Sequence, residues 1–416
     1  MLNNHIINLK VCGITSSKSI KIAAQKKVKT LGFASNNLLG PNTCDDEMIK
    51  ELIEECNEYK IETVLLSRYQ SKLDLIKQID YLMSNNIEVI LVSSGAVAAG
   101  KQVLNSTDDS TNVKLKQVFA AVGQSVLVNK YSELFENYDL KVAQTLLTRA
   151  DITNKVSYLN FKNTLLNLLM LGVVPIVNEN DVVAIDELVG IHFGDNDTLS
   201  AMVSKIVDAD LLILLGELDG LYTSDPNIDP TAKLVRKVEN FSDEVLNMGS
   251  GSIDSKGQGG MVTKIDAAKV ATNSGVDVII ASGLEKNILI RLMDNEDVGT
   301  WFPASITKIE SKKKWMLSQV VDSAVIKITD KGSKSILGKS EDLLSREIIQ
   351  VIGTFSRGDI VSIANPNRKT IALGIVNYNV DEIAQIIRNN YQENSMIQGR
   401  TYGNEVIYYH NMVIDL

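Results

Sequence analysis

The chain is poor in the residues that build metal centres and disulfide frameworks. Among 416 residues there are three histidines (His5, His192 and His410) and three cysteines (Cys12, Cys44 and Cys56). An odd, sparse cysteine set without C-x-x-C spacing excludes a disulfide scaffold and a zinc site of the usual kinds. So few histidines leave no His-based metal centre, and no metal-ligating residue is assigned. No apolar run reaches the roughly 18 residues of a membrane span. The opening "MLNNHIINLK" has no basic region followed by a long apolar core, so no secretory leader is expected and the cytoplasm is the expected compartment. An excess of positive charge is also missing: 42 Lys and Arg face 51 Asp and Glu, a net charge of −9. That disfavours broad nucleic-acid binding, so any anion must be held by a few lysines and backbone amides.

What is present is an ordinary globular composition, 44% hydrophobic and 22% charged, in a chain long enough for two or three domains. Apolar, β-branched runs at 88–94, 140–148, 173–180, 210–216 and 276–282 alternate with helical patterns at 158–171, 197–208 and 262–274. Strands this apolar are buried on both faces, which predicts an α/β domain with a doubly wound, mainly parallel sheet. Ligands in such sheets sit at the carboxyl ends of the strands. Polar clusters fall there: Ser93-Ser94-Gly95, Asn178-Glu179-Asn180-Asp181 and Gly216-Glu217. After about residue 300, short strand-like runs ("KWMLSQV", "SAVIKI", "DIVSIAN", "TIALGIV") predict a small, mostly β domain with few helices. Residues 301–416 hold 14 Lys and Arg against 12 Asp and Glu, a balance that argues against RNA binding. The first 70 residues form a third region, with strands at "LKVCGIT", "TLGFAS" and "ETVLLSRY" and helices near 16–29 and 45–59.

Four stretches could carry chemistry. "VSSGAVAAGK" (92–101) ends a strand and opens a helix, whose free amides suit an anion; its Gly and Ala would equally serve tight helix packing. "NENDVVA" (178–184) is a binding edge or a turn. "FGDNDTLSA" (193–201) offers Asp195, Asn196 and Asp197 as helix caps, and lacks the spacing of a calcium loop. "GSGSIDSKGQGGMVTKIDAAK" (249–269) runs a glycine-rich loop into a helix bearing Lys264, which suits a phosphate although the spacing is not that of a Walker A loop. Together they suggest phosphoryl transfer by positioning and charge neutralisation.

From residue 71 onward the chain resembles the glutamate 5-kinases of proline biosynthesis. The matching segments are "EVILVSSGAVAAGK", "AAVGQSVL", "VAQTLLTRAD", "YLNFKNTL", "VVPIVNENDVVA", "FGDNDTLSA", "DGLYTSDP" and "GGMVTKIDAAK". "KKKWML", "FSRGDIV", "GIVNYN" and "EVIYYHNMVI" look like the PUA domain that follows the kinase domain in many bacterial members. The resemblance implies an amino-acid-kinase fold over 71–300 and a PUA-like domain over 301–416. It implies transfer of the ATP γ-phosphate, with Mg²⁺, to the side-chain carboxylate of L-glutamate. It implies glutamate binding by Ser94, Asp181 and Asn196, and ATP binding by Gly216, Glu217, Gln258, Gly259, Gly260, Met261, Val262, Thr263 and Lys264. Lys264 is the implied catalytic lysine. A homo-oligomer and proline as a candidate feedback inhibitor also follow from the resemblance.

The chain departs from that pattern at Gly216-Glu217, where the family has Ser/Thr-Asp, and at Gln258, where it more often has Thr. The family's first strand ends in Lys-x-Gly-[Ser/Thr], and "ETVLLSRYQS", nearest its place, has no such lysine. These departures leave a second reading open: a catalytically silent relative that binds glutamate as a regulator or partner subunit. Residues 1–70 instead resemble the first β-α-β of phosphoribosylanthranilate isomerase, with Cys12 at the position of the catalytic base. About three of eight barrel units could be present and an incomplete barrel cannot close, so no isomerase activity is expected. Lys10 remains a candidate replacement for the missing phosphate lysine.

Overall fold

The computed structural model describes residues 72–106, 112–184, 196–249, 260–339, 341–388 and 403–414 without interruption, and before residue 72 the stretches 10–12, 17–18, 20–21, 30–34, 48, 51–52, 54–56 and 62–66. Strands β1 (Lys10–Cys12), β2 (Thr30–Ala34) and β3 (Glu62–Leu66) form a parallel sheet in chain order. Parallel neighbours need a crossover between them, and residues 17–18, 20–21, 51–52 and 54–56 are helical. This order belongs to any chain that winds one way along a sheet, so the barrel resemblance gains nothing specific from it.

The next region alternates helix and strand as expected. Its elements are α1 (Lys72–Ser84), β4 (Leu91–Val92), α2 (Ala96–Val103), α3 (Val113–Glu136), β5 (Lys141–Leu147), α4 (Lys155–Met170), β6 (Val173–Glu179) and α5 (Asn196–Ile206). They continue with β7 (Leu211–Gly216), α6 (Met261–Thr272), β8 (Asp277–Ser282) and β9 (Thr300–Phe302). The strands pair as β4-β6-β5, all parallel, and as β7-β8-β9, in which β9 is antiparallel. β6 runs between two neighbours and is buried from Val174 to Glu179, which is why its sequence is apolar without alternation. The strand expected over 88–94 forms a ladder only at Leu91–Val92, beside β6 alone.

The two sheets share one core, in which Ile76, Ile79 and Leu82 of α1 and Phe135 of α3 meet Val174 and Ile176 of β6 and Ala281 of β8. On the other side, α6 turns Ala267, Ala268 and Ala271 onto Leu212, Leu214, Val278 and Ile280. Alanines there bring the helix axis close to β7, which carries Gly216 at its carboxyl end.

The C-terminal region holds a five-stranded sheet, β12-β10-β13-β14-β16, built from β10 (Val320–Ile328), β12 (Ile348–Ile352), β13 (Ile360–Ala364), β14 (Thr370–Ile375) and β16 (Met412–Ile414). β11 (Leu343–Leu344) pairs with β15 (Glu405–Ile407). Two expectations are corrected. "KWMLSQV" is not a strand but the end of helix α7 (Lys308–Gln319), and α8 (Asp330–Lys339) and α9 (Val380–Arg388) make the region more helical than its punctuation suggested. The start of α7 is a capping box: the Thr307 hydroxyl accepts from the Glu310 amide, and the Glu310 carboxylate accepts from the Thr307 amide. That local device fixes the helix over a segment whose apolar residues also suit a strand.

Candidate active site

The site builds up at the carboxyl ends of β4, β6 and β7. Val92 pairs with Val177, and the Ser93 amide donates to the Val177 carbonyl at 2.9 Å. Ser93 and Ser94 therefore run alongside Asn178 and Glu179. Ser93 is buried and bonds the Tyr131 hydroxyl at 2.7 Å, whereas Ser94 is exposed at the open end. Gly95 caps α2 with φ +108°, a left-handed conformation that favours glycine, and no side chain caps the free amides beyond it. The small residues after it serve packing. A Cβ on Gly100 would lie 1.9 Å from the Phe119 carbonyl oxygen, and one on Gly123 would lie 1.8 Å from that of Ala96. The segment is thus a turn that opens an amide terminus, held by two helices in backbone contact.

At the end of β6, Asn178, Glu179 and Asp181 are all buried. Gln124 of α3 donates to the Glu179 carbonyl at 3.2 Å and accepts from Gln144 of β5 at 3.3 Å. Asn180 makes the turn, with its carbonyl accepting from the amides of Val183 and Ala184. The Asn178 Oδ1 accepts from the Glu179 amide at 2.9 Å, and its Nδ2 is buried with no hydrogen-bond partner among the described residues. The Oδ1 of Asn196, first residue of α5, is likewise buried and unpartnered. Helix α5 packs against both β4 and β6. A buried spare donor and a buried spare acceptor are what an amino acid's carboxylate and ammonium need.

The third part is cationic. Lys264 in α6 donates to both carboxylate oxygens of Asp197, at 2.9 and 3.2 Å, and the Thr263 hydroxyl donates to the same carboxylate at 2.8 Å. Both partners of this ion pair are largely buried. The lysine stem crosses the end of β7, where a Cβ on Gly216 would lie 3.1 Å from Lys264 Cε. The Glu217 carbonyl accepts from Ser282 of β8. Gly260 stands at the N-cap of α6 with no side-chain cap, Met261 is buried, and Val262 is exposed.

Lys264, Thr263 and Gly216 are therefore brought together around Asp197, which its place at a helix start marks only as a cap. Asn178 was also visible only as part of a polar cluster. Gln258 and Gly259 lie outside the described residues. So does the Lys10 side chain, since only the backbone of β1 is described.

Residues 63–282 match the model of the amino acid kinase family, and residues 325–397 match the PUA domain. The chain is 42% identical over 361 residues to the glutamate 5-kinase of Dehalococcoides mccartyi (strain CBDB1), covering 85% of this chain and 97% of that protein. It is 43% identical over 341 residues to the glutamate 5-kinase of Herpetosiphon aurantiacus, covering 82% of this chain and 91% of that protein. With more than half of its length inside the family match, the chain belongs to the amino acid kinase family.

Proposed function

We propose that this protein is a glutamate 5-kinase, which transfers the γ-phosphate of ATP to the side-chain carboxylate of L-glutamate in proline biosynthesis. The observation that carries the reading is the Asp197–Lys264 contact. It joins the helix that begins with Asn196, on the glutamate side, to the helix that follows the glycine-rich loop, on the ATP side. The identity to glutamate 5-kinases along nearly their whole length supports the same substrate pair.

In this reading a glutamate carboxylate oxygen attacks the γ-phosphorus. One O–P bond forms, the bond to the β-γ bridging oxygen breaks, and ADP leaves; the ionised carboxylate needs no base. The difficulty is bringing two anions together, so catalysis rests on positioning and neutralisation. The first-turn amides of α6 and the Lys264 ammonium receive the phosphate oxygens. Asp197 aims the ammonium, Asn178 Nδ2 offers a donor to the α-carboxylate, and Asp181 and Asn196 receive the α-ammonium. Ser94 and the amide terminus of α2 close the glutamate side. Gly216, Glu217 and residues 260–263 flank the nucleotide, to which the family resemblance also assigns Gln258 and Gly259. No group of three His, Cys, Asp or Glu among the described residues is placed to hold a metal ion. Mg²⁺, when bound, would come with the ATP phosphates and offset their charge. A homo-oligomer and inhibition by proline belong to the same reading; light scattering and a proline titration test them.

The experiment is ADP release with L-glutamate, ATP and Mg²⁺, with the acyl phosphate trapped by hydroxylamine. Turnover that Lys264→Ala lowers by on the order of 10²-fold or more is expected. Glutamate binding without turnover would replace the kinase with the silent, glutamate-binding relative.

A further inference from the structure

Helix α4 carries the segment "KVSYLNFKNTLL", and its side chains are spent on the C-terminal domain and on one deeply buried charge. Leu159 packs with Met316 of α7, Ile360, Leu373, Ile375 and Val413. Lys155 pairs with Asp359 at 2.7 Å, and Asn160 accepts from Arg357 at 2.7 Å. Between those two residues the chain touches backbone to backbone, since a Cβ on Gly358 would lie 3.0 Å from the Lys155 carbonyl. Asn163 accepts from Asn411 at 3.0 Å and bonds the His410 ring at 3.3 Å.

Amid these contacts Lys162 is 2% exposed, and its ammonium donates to Asp208 at 2.8 Å. Asp208 lies just past the end of α5. Lys308 of α7 bonds its carbonyl at 3.0 Å, and Lys312 stands 3.6 Å from its carboxylate while donating to the His410 carbonyl. A lysine this buried costs stability unless its partner is held in place. The pair joins two elements that matter elsewhere. Helix α4 passes through Leu171 and Gly172 alone into β6, which ends in Asn178 and Glu179. Helix α5 starts with Asn196 and Asp197.

We propose that Lys162 and Asp208 are positioning residues for the glutamate side of the site, and that the docked C-terminal domain clamps them. The pair fixes α4 against the far end of α5, and thereby sets the spacing between the end of β6 and the start of α5. The nucleotide side is coupled to this pair less directly, through Asp197 at the start of α5 and through β7, which begins three residues after Asp208. The proposal rests on the glutamate-kinase reading for its kinetic outcome alone.

The test compares the full chain with Lys162→Met, Lys162→Arg and, at the rim of the same seam, Arg357→Ala. Steady-state kinetics are run with both substrates, and amide hydrogen exchange without any ligand. Lys162→Met is expected to raise KM for glutamate by about tenfold, with KM for ATP within about twofold, since small displacements of positioning groups cost rate and affinity at the group they hold. Exchange should quicken over 173–184 and 196–206 and stay unchanged over 277–282. Lys162→Arg should recover part of both effects, and Arg357→Ala should show the same pattern more weakly. Unaltered exchange over 173–184 and 196–206, or exchange quickened equally in all three segments, would overturn the proposal. If the unaltered protein fails to phosphorylate glutamate, the functional reading falls, and the exchange comparison still decides this one.

Discussion

Asp197 receives the Lys264 ammonium through both carboxylate oxygens and the Thr263 hydroxyl through one, so a single acidic residue orients the cation of the site. Asp197→Asn keeps the size and a hydrogen-bond acceptor and removes the charge that holds the ammonium. The expected result is a fall in kcat of on the order of 10²-fold, with KM for glutamate changed far less, because the lysine acts on the charge of the transferring group. Initial rates over a grid of both substrates check it; an equal rise of both KM values with kcat intact would refute the role.

The contact between α2 and α3 predicts a different phenotype. A methyl group on Gly123 has to displace the Ala96 carbonyl and the Gly100 amide, both backbone atoms. Gly123→Ala should lose about 1–3 kcal/mol in urea denaturation, the range for forced overpacking, and should raise KM for glutamate because α2 begins beside Ser94. Ala98→Ser, on the exposed face of α2, should do neither.

These two cases show what the sequence could and could not reveal. Strands β6, β7 and β8 were legible because each is apolar on both faces over most of its length. The end of α7 was misread because Trp315, Met316 and Leu317 suit a strand as well as a helix, and the deciding signal, Thr307 with Glu310, lies upstream of them. Lys264 announced itself through the glycines before it. Asp197 did not, because its partner is 67 residues away and a lone Asp at a helix start is indistinguishable from a cap. The segment around Lys162 was legible as part of a family pattern, but its partners near Arg357 and His410 come 197 and 247 residues later, and no local periodicity encodes that docking.

Gly216 stands where the resemblance leads one to expect Ser or Thr, and the geometry states what the glycine does. A Cβ there would sit 3.1 Å from Lys264 Cε, the far part of a flexible side chain. Gly216→Ser should therefore fold normally, with a melting temperature within about 2 °C of the parent, since nothing rigid has to move. The hydroxyl comes close to the lysine stem, so KM for ATP should change by about threefold or less while KM for glutamate holds. A collapse of stability would mean that Lys264 cannot yield, and that its position is fixed by more than Asp197.

The seam beneath α4 should make stability depend on pH. The His410 imidazole is pushed down from 6.5 to about 4, first by burial and then by the Lys162 and Lys312 ammonium groups, with Asp208 acting the other way. On unfolding the ring regains its ordinary affinity for a proton. Between pH 6.5 and 4 the unfolded chain therefore binds more protons at this residue, and stability falls as pH drops through that window. Lys312 is pushed down to about 8, first by burial and then by Lys162. By the same reasoning it adds stability as pH rises from 8 toward 10.5. His410→Gln cannot take up a proton and retains an amide that can meet Asn163. Its melting temperature should vary less than that of the parent between pH 6.5 and 4, while the two proteins keep parallel curves from pH 8 to 10. Lys312→Met should flatten the alkaline limb and, because the Lys312 ammonium is one of the charges that hold His410 down, make the acid limb somewhat shallower than the parent's. Identical curves for all three proteins would show that the cluster opens to water before it titrates, and that the C-terminal domain is not seated on α4 in solution.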